Sequence, residues 1–243
     1  MTEQDFNIWE GVYENWDLAP ADDDVFASDI WVDKISQQAL KIFESYHSPD
    51  ELPLNTSIHE NALPLASAML SLNDLEPLRV LDFGGGMGTG YLYLKTSLCA
   101  QKLIEYHIVE GEAICQRGKE LFSSHPNLYF HQTLPSLPDP VHIIHLGSSL
   151  QYIENWNGLI GSFTSLKPRY LILTDVLAGD IKSFVTIQKF HGKKIRTHFK
   201  NLKEFLSAVE QLGFHLIFKS NYYTTICGKI GPLPMQNFDK KYQ

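Results

Sequence analysis

The stretch Val80-Leu81-Asp82-Phe83-Gly84-Gly85-Gly86-Met87-Gly88 runs from a short apolar segment directly into glycines. Glycine suits such a bend because it adopts backbone angles that a Cβ forbids, and because a ligand can then lie against bare peptide groups. The following helix turns its positive end toward the same place. In a doubly wound sheet, ligands bind outside the carboxyl ends of the strands. The sequence therefore predicts a ligand-binding turn at residues 84–88.

The spacing of these glycines argues against two common ligand motifs. A dinucleotide motif has a third glycine or alanine three positions after its second, and counting from Gly84 and Gly86 leads to Thr89. A phosphate-binding P-loop needs Gly-Lys-Ser/Thr, which the residues after Gly88 do not supply. An NAD-linked oxidoreductase is therefore a disfavoured alternative.

Glu110 is the second signal. It ends the next predicted strand, 22 residues after Gly88. About 20 residues is the length of a helix and the strand that returns beside the glycine turn. A carboxylate at that point can accept hydrogen bonds from both hydroxyls of a ribose. The turn and the carboxylate together predict a ligand that contains a ribose.

The rest of the chain predicts the sheet that carries this turn. From Leu78 onward, short apolar runs alternate with helical patterns, which is typical of βαβ units on a parallel sheet. Strands are predicted at 79–83, 106–110, 128–131, 142–146, 169–175 and 215–220. We expect an α/β fold with a doubly wound, mostly parallel sheet, helices on both faces, and a helical and aromatic N-terminal extension.

Helix signals and a linker suggest how the chain is divided. A helix is predicted from Ser28 or Asp29 to near Tyr46, a second at about 58–72, and a third capped by Asn201 and ending at Gly213. Two prolines mark 48–53 as a linker. We therefore expect an N-terminal extension with a cap helix at 1–53 and a ligand-binding domain at 54–243. The long connection 178–200 predicts either a lid or an extra pair of strands.

Composition limits the partners and the compartment. Lys and Arg number 20 against 28 Asp and Glu, for a net charge of −8, which argues against the broad basic surface that nucleic acids require. The three cysteines, Cys99, Cys115 and Cys227, form no Cys-x-x-Cys pair, as in a reduced protein. No apolar run approaches the roughly 20 residues of a membrane span. We expect a cytoplasmic protein that binds small molecules; the sequence does not indicate its oligomeric state.

Three segments carry a family resemblance. Asp82 followed by Gly84-x-Gly86-x-Gly88 resembles the first motif of Rossmann-like, class I methyltransferases that use S-adenosylmethionine (SAM). The segment 148–153, Ser-Ser-Leu-Gln-Tyr-Ile, looks like their motif after the fourth strand, with Tyr152 at the usual histidine position. Together with 9–16, Trp-Glu-Gly-Val-Tyr-Glu-Asn-Trp, they are similar to a small, mostly uncharacterised bacterial family of such proteins, some linked to surface polysaccharide synthesis.

The resemblance implies SAM as the cofactor and a set of residues that bind it. Asp82 would either orient the turn or meet the amino acid part of SAM. Gln132 stands where the family usually has an aspartate for the adenine amino group, and its side-chain oxygen can accept that bond. The implied cofactor-binding residues are Asp82, Gly84, Gly85, Gly86, Gly88, Glu110, Gln132 and Ser148.

The resemblance also implies methyl transfer to a small-molecule acceptor, with a sugar or a surface-polysaccharide precursor among the candidates. The alternative is a catalytically inactive SAM-binding regulator or partner protein. Tyr152 would position the acceptor or lie near the sulfonium, or would only line the adenosine pocket. Asp175 would face the cleft, or would only cap the next turn. His191 would be a base, or an ordinary surface histidine, and the same choice applies to His198.

Two further sets of side chains, one aromatic and one of histidines, are candidates for a site. Trp9, Tyr13 and Trp16 would either shape the acceptor pocket or only seal a sheet edge or helix face. His142 and His145 lie three residues apart on a predicted strand, so they point to opposite faces, and no metal site is predicted.

Overall fold

The computed structural model describes residues 8–22, 24–46, 61–70, 76–99, 101–190 and 192–221. The helices and strands of these residues are, in chain order, β1 (Trp9–Tyr13), α1 (Asp29–Tyr46), α2 (Ala62–Ala68), β2 (Leu78–Phe83), α3 (Thr89–Ser97), β3 (Ile104–Val109), α4 (Glu112–Leu121), β4 (Leu128–His131), β5 (Ile143–Gly147), α5 (Trp156–Phe163), β6 (Tyr170–Thr174), β7 (Ala178–Gly179), β8 (Phe184–Phe190), β9 (Lys193–Asn201) and α6 (Leu202–Gln211). Short 3-10 turns lie at Val25–Ala27, Leu150–Tyr152 and Thr164–Leu166.

The chain forms two compact units. The larger is built from the described parts of 26–149 and from 161–175, and the smaller from the described parts of 1–25, 150–160 and 176–243. Helix α1 therefore belongs to the larger unit and strand β1 to the smaller. The boundary predicted after residue 53 lies outside the described residues and stays a prediction.

A five-stranded sheet forms the centre of the larger unit. Its order is β4-β3-β2-β5-β6, and every neighbouring pair is parallel. Successive strands run outward from β2 to β4 and then begin again on the other side of β2 with β5. This reversal is the switch point at which doubly wound sheets bind ligands. The predicted parallel α/β sheet is confirmed, and each of its five strands was predicted to within two residues at either end.

Helices cover this sheet on both faces, as predicted. Leu78 and Val80 of β2 lie in a core with side chains from α1, α2, α3 and α4. Phe83, which alternation places on the opposite face, has its ring centroid 6.1 Å from that of Phe163 at the end of α5. Helix α1 has the predicted bounds, and its Phe43 stacks on Phe122 at 4.1 Å.

The smaller unit contains a four-stranded sheet of order β1-β8-β9-β7. Strands β8 and β9 form an antiparallel hairpin, so the extra pair of strands predicted for 178–200 is present. Strand β1 pairs with the other edge of β8, with Trp9 opposite Gln188 and Tyr13 opposite Val185. Strand β1 of the aromatic N-terminal segment thus occupies one edge of this sheet, and both interpretations given for the segment stay predictions.

The C-terminal elements give one confirmation and one correction. Asn201 caps α6 as predicted, since its side chain accepts a hydrogen bond from Glu204 N at 2.9 Å. The prediction of a strand at 215–220 is wrong, because the structure describes these residues and they form no strand. Their apolar side chains are exposed, Ile217 by 78% and Phe218 by 76%, and no described strand pairs with them. Within the described ranges, no helix is long and apolar enough to cross a membrane.

A pair of histidines joins β3 to β4. His107 is buried, and its Nδ1 lies 3.0 Å from Nε2 of His131. Burial, followed by the charges of His131 and Arg79, lowers the pKa of His107 to about 4, and burial also lowers the pKa of His131. Both rings are therefore neutral at pH 7, and one nitrogen of the pair donates to the other.

We expect the free energy of unfolding to decrease as the pH falls from about 6.5 toward 4, because unfolded histidines then bind protons that the folded ones exclude. The slope for one histidine is at most about 1.4 kcal/mol per pH unit. The variant His107→Gln should reduce this slope, measured as the difference between urea unfolding at pH 7 and at pH 5. The control is His215→Gln, since His215 is exposed. A pH slope unchanged in His107→Gln would contradict the assignment.

Candidate functional site

The glycine turn joins β2 to α3 and has one closed side and one open side. Gly84 and Gly86 have φ values of +73° and +56°, a left-handed conformation that favours glycine. A Cβ on Gly84 would lie 2.5 Å from the Cβ of Ser149, so packing requires glycine there. Within the part of the chain that the structure describes, a Cβ on Gly86 would meet no atom within 4 Å apart from its chain neighbours. The backbone at Gly86 therefore borders open space that a ligand can use.

Asp82, near the end of β2, packs directly against the glycine turn. It is only 3% exposed, and its Oδ2 accepts a hydrogen bond from the Tyr106 hydroxyl at 2.6 Å. Its Oδ1 accepts one from Nδ1 of His145 at 2.8 Å. Burial and the neighbouring Asp82 charge raise the pKa of Tyr106 well above its usual value, so the phenol stays a donor. A Cβ on Gly85 would collide with the Asp82 carboxylate, so the turn lies directly on it. The geometry favours the loop-orienting role of Asp82.

Glu110 reaches the glycine turn from the end of β3, as its spacing predicted. Its Oε1 accepts a hydrogen bond from Gly86 N at 3.0 Å, and its Oε2 accepts one from Gly111 N at 3.1 Å. Burial raises the pKa of Glu110, and the hydrogen bonds from Gly111 and Gly86 oppose this rise. The open side of the turn is thus bordered by a partly buried carboxylate.

Ser148 and Asp175 meet at the ends of the adjacent strands β5 and β6. The Ser148 hydroxyl donates to Oδ2 of Asp175. Their φ values are +53° and +56°, a conformation that costs a non-glycine residue of order 1 kcal/mol or more. Residues strained in this way cluster at functional sites. Both side chains lie at the edge of the sheet where β2 carries the glycine turn.

All predicted cofactor-binding residues lie at this carboxyl edge, in the larger unit. Gln132 is exposed immediately after β4. Sequence reasoning missed Ser149, whose hydroxyl donates to Phe83 O at 2.9 Å and whose Cβ closes the space beside Gly84. The only available signal was its place in the quoted segment 148–153.

The smaller unit holds four more of the predicted site residues, namely Tyr152, Trp9, Tyr13 and Trp16. The Tyr152 hydroxyl donates to Oε1 of Gln188 at 2.8 Å. Trp9 is 5% exposed and packs edge-on against Phe199, with ring centroids 5.1 Å apart. Tyr13 and Trp16 are partly buried against a small core of β8. His191 lies outside the described residues. The roles of all five remain predictions.

The smaller unit also contains a pair of basic side chains, the half-buried His198, already a candidate base, and the buried Lys200, which sequence reasoning did not select. His198 stacks on Trp16 with ring centroids 4.7 Å apart. Lys200 is 4% exposed. Burial lowers the pKa of Lys200 to about 8, and burial followed by the Lys200 charge lowers the pKa of His198 to about 4. The signal that was present is the alternation of basic residues along β9.

The histidines weighed as metal ligands have separate partners. His142 Nδ1 accepts a hydrogen bond from Arg79 N at 3.0 Å, and its Nε2 lies 3.1 Å from Oε1 of Glu76. His145 instead donates to Asp82. Each ring therefore has a structural role within the sheet.

No protein-family model and no curated protein matches the sequence. Among solved structures, the chain is similar to a SAM-dependent methyltransferase from Clostridium acetobutylicum ATCC 824, with 11% identity over 79% of this chain and 91% of that one and a TM-score of 0.47. A SAM-dependent methyltransferase from Mesorhizobium loti matches with 15% identity over 76% and 92% and a TM-score of 0.43. The plantazolicin methyltransferase, solved with S-adenosylhomocysteine, matches with 19% identity over 56% and 53% and a TM-score of 0.36. These likenesses are distant, so function has to be inferred from this chain's own residues.

Proposed function

We propose that this chain is a SAM-dependent methyltransferase that acts on a small-molecule acceptor. The observation that carries the proposal is the contact between Glu110 and Gly86 N on the open side of the glycine turn. This contact lies at the switch point of a parallel sheet, where such folds bind nucleoside ligands. The Glu110 carboxylate can accept hydrogen bonds from ribose hydroxyls. The backbone at Gly86 carries no side chain, so the rest of the ligand can approach it closely.

The third glycine supports SAM over a dinucleotide. A Cβ on Gly88 would lie 3.0 Å from Ile108 Cδ1 and 3.2 Å from Leu128 Cδ2, so this glycine lets α3 begin close to the sheet. It stands two positions after Gly86, whereas the dinucleotide motif places its packing glycine three positions on. The turn is therefore one residue shorter than a pyrophosphate-binding turn.

The residues present fit the cofactor. In the proposed complex, Glu110 accepts from both ribose hydroxyls and Gln132 accepts from the adenine amino group. Backbone groups of 84–88 line the open side of the turn, and Asp82 holds that turn in place. Ser148 contributes from the end of β5.

Catalysis then requires positioning and a proton acceptor. When bound, SAM supplies a methyl group that its positively charged sulfur has already activated. Holding the acceptor in line can supply an effective molarity of about 10⁵–10⁸ M. Asp175 is the proposed proton acceptor, held in place by the Ser148 hydroxyl. A sugar or polysaccharide precursor is one candidate class of acceptor, and acceptor contacts by Tyr152, Tyr13 and Trp16 stay predictions.

The inactive alternative is not favoured, because the strained Ser148–Asp175 pair is a feature that a purely structural strand end does not need.

Transfer of tritium from methyl-labelled SAM into a panel of small acceptors tests the activity directly. Loss of that transfer in Asp175→Asn, with S-adenosylhomocysteine binding retained, would identify Asp175 as the proton acceptor. Equal transfer by Asp175→Asn and the wild type would remove it from that role.

The variant Glu110→Ala should bind S-adenosylhomocysteine at least about 10-fold more weakly, because even one lost hydrogen bond to a charged group costs about 1.5–3 kcal/mol. Isothermal titration calorimetry measures this loss. Glu112→Ala is the matched control, since Glu112 is exposed two residues further on. The affinity of the wild type for S-adenosylhomocysteine should also decrease as the pH is lowered, because Glu110 becomes protonated. Since the pKa of Glu110 is raised, this decrease should begin at a higher pH than for an ordinary glutamate. Equal affinities of the two variants would overturn the proposed function.

Two alanine variants of the turn should separate binding from folding. Gly86→Ala should fold, at a penalty of about 1–2 kcal/mol for the left-handed backbone, but lose most S-adenosylhomocysteine binding because its methyl group fills the open side. Gly84→Ala should instead lower the thermal midpoint much more, because its Cβ would strike Ser149. Circular dichroism and calorimetry measure the two effects. Unchanged binding by a folded Gly86→Ala would show that the ligand lies elsewhere.

A further inference from the structure

Strand β9 in the smaller unit carries a row of basic side chains. The alternate residues Lys194, Arg196, His198 and Lys200 share one face of the strand. The whole chain has a net charge of −8, so this row departs from the average character of the protein.

The first two members of the row have partners. Lys194 Nζ lies 2.7 Å from Oε1 of Glu10. Arg196 Nε donates to Ala19 O at 2.7 Å, and its guanidinium lies over the Trp16 ring. This end of the row is explained by contacts within the unit.

The other end is different. Among the described residues, Lys200 Nζ and His198 Nε2 are both buried and have no hydrogen-bond partner. His198 makes a backbone hydrogen bond with Glu154, so Nδ1 is the nitrogen already used. Burial alone lowers the pKa of Lys200, so no described carboxylate compensates its charge. A buried ammonium in this state lacks both a counter-charge and acceptors.

One tryptophan ring packs against each of the side chains that carry His198 Nε2 and Lys200 Nζ. The Trp16 ring stacks on His198, and the Trp156 ring centroid lies 5.5 Å from Lys200 Nζ. The face of an indole attracts a cation, but it supplies none of the oxygen acceptors that the three N–H bonds of an ammonium need. The contact with Trp156 therefore holds Lys200 in place without satisfying it.

We propose that Lys200 and His198 form an anion-binding site that takes the phosphate or carboxylate group of a small molecule. The anion would supply the missing charge and acceptor oxygens for Lys200. Its negative charge would also favour protonation of His198, so that Nε2 becomes a second donor.

The test is a titration of the full chain with inorganic phosphate and, separately, with acetate, at constant ionic strength set by potassium chloride. Tryptophan fluorescence reports binding, because Trp16 and Trp156 border the site, and calorimetry confirms it. Saturable binding of phosphate, of acetate or of both is expected for the wild type, and the stronger of the two identifies the class of ligand. Lys200→Met should weaken this binding at least 10-fold, and His198→Gln several-fold. Lys203→Met, at an exposed position on α6, should leave it unchanged.

Equal anion affinities in Lys200→Met and Lys203→Met, or a response that chloride alone reproduces, would overturn the site. Circular dichroism verifies folding, and Lys200→Met should fold because it replaces an uncompensated buried charge with an apolar chain of similar length. S-adenosylhomocysteine binding is measured on the same samples and should be unchanged in Lys200→Met. Anion binding in a wild-type protein that binds no S-adenosylhomocysteine would uphold the anion site while overturning the proposed methyltransferase function.

Discussion

The buried carboxylate of Asp82 is the interaction on which the candidate site depends. A charge with so little exposure is tolerated only when donors surround it, and Tyr106 of β3 and His145 of β5 supply them from both neighbouring strands. One side chain thus joins three adjacent strands at the level where the glycine turn leaves the sheet. Because the turn lies directly on this carboxylate, Asp82 fixes the backbone beside Gly86, whose N–H donates to Glu110 at the end of β3.

The parts of this arrangement that are local in the chain could be predicted from the sequence. An apolar run ending in glycines and a carboxylate one crossover later are each contained within a short stretch, so residues 80–88 and Glu110 were found. The partners of Asp82 were not found, because His145 is 63 residues away and becomes a neighbour only through the strand order. The sequence alone therefore leaves both alternatives for Asp82 open, whereas its contacts with Tyr106 and His145 favour the loop-orienting role.

The smaller unit shows the same limit more strongly. Its sheet combines β1 with β8 and β7 with β9, and no pattern within one segment indicates those pairings. A short apolar run predicted a strand at 215–220, yet a strand requires a paired neighbour, and none of the described strands provides one. The burial of Lys200 could not be predicted from nearby sequence either, because the ring and the backbone that cover it come from other segments of the chain.

The pairing of β1 with β8 also has a consequence for biosynthesis. The Thr186 hydroxyl bonds to Gly11 O across 175 residues, so the partner of the first strand leaves the ribosome long after that strand does. At about 5–20 residues per second, the delay is roughly 10 to 35 seconds. During that time Ile8 and Trp9, buried in the finished protein, have no sheet to cover them. The nascent chain therefore exposes an aromatic segment that holding chaperones can recognise, while the parallel sheet encoded between the two strands is free to fold first.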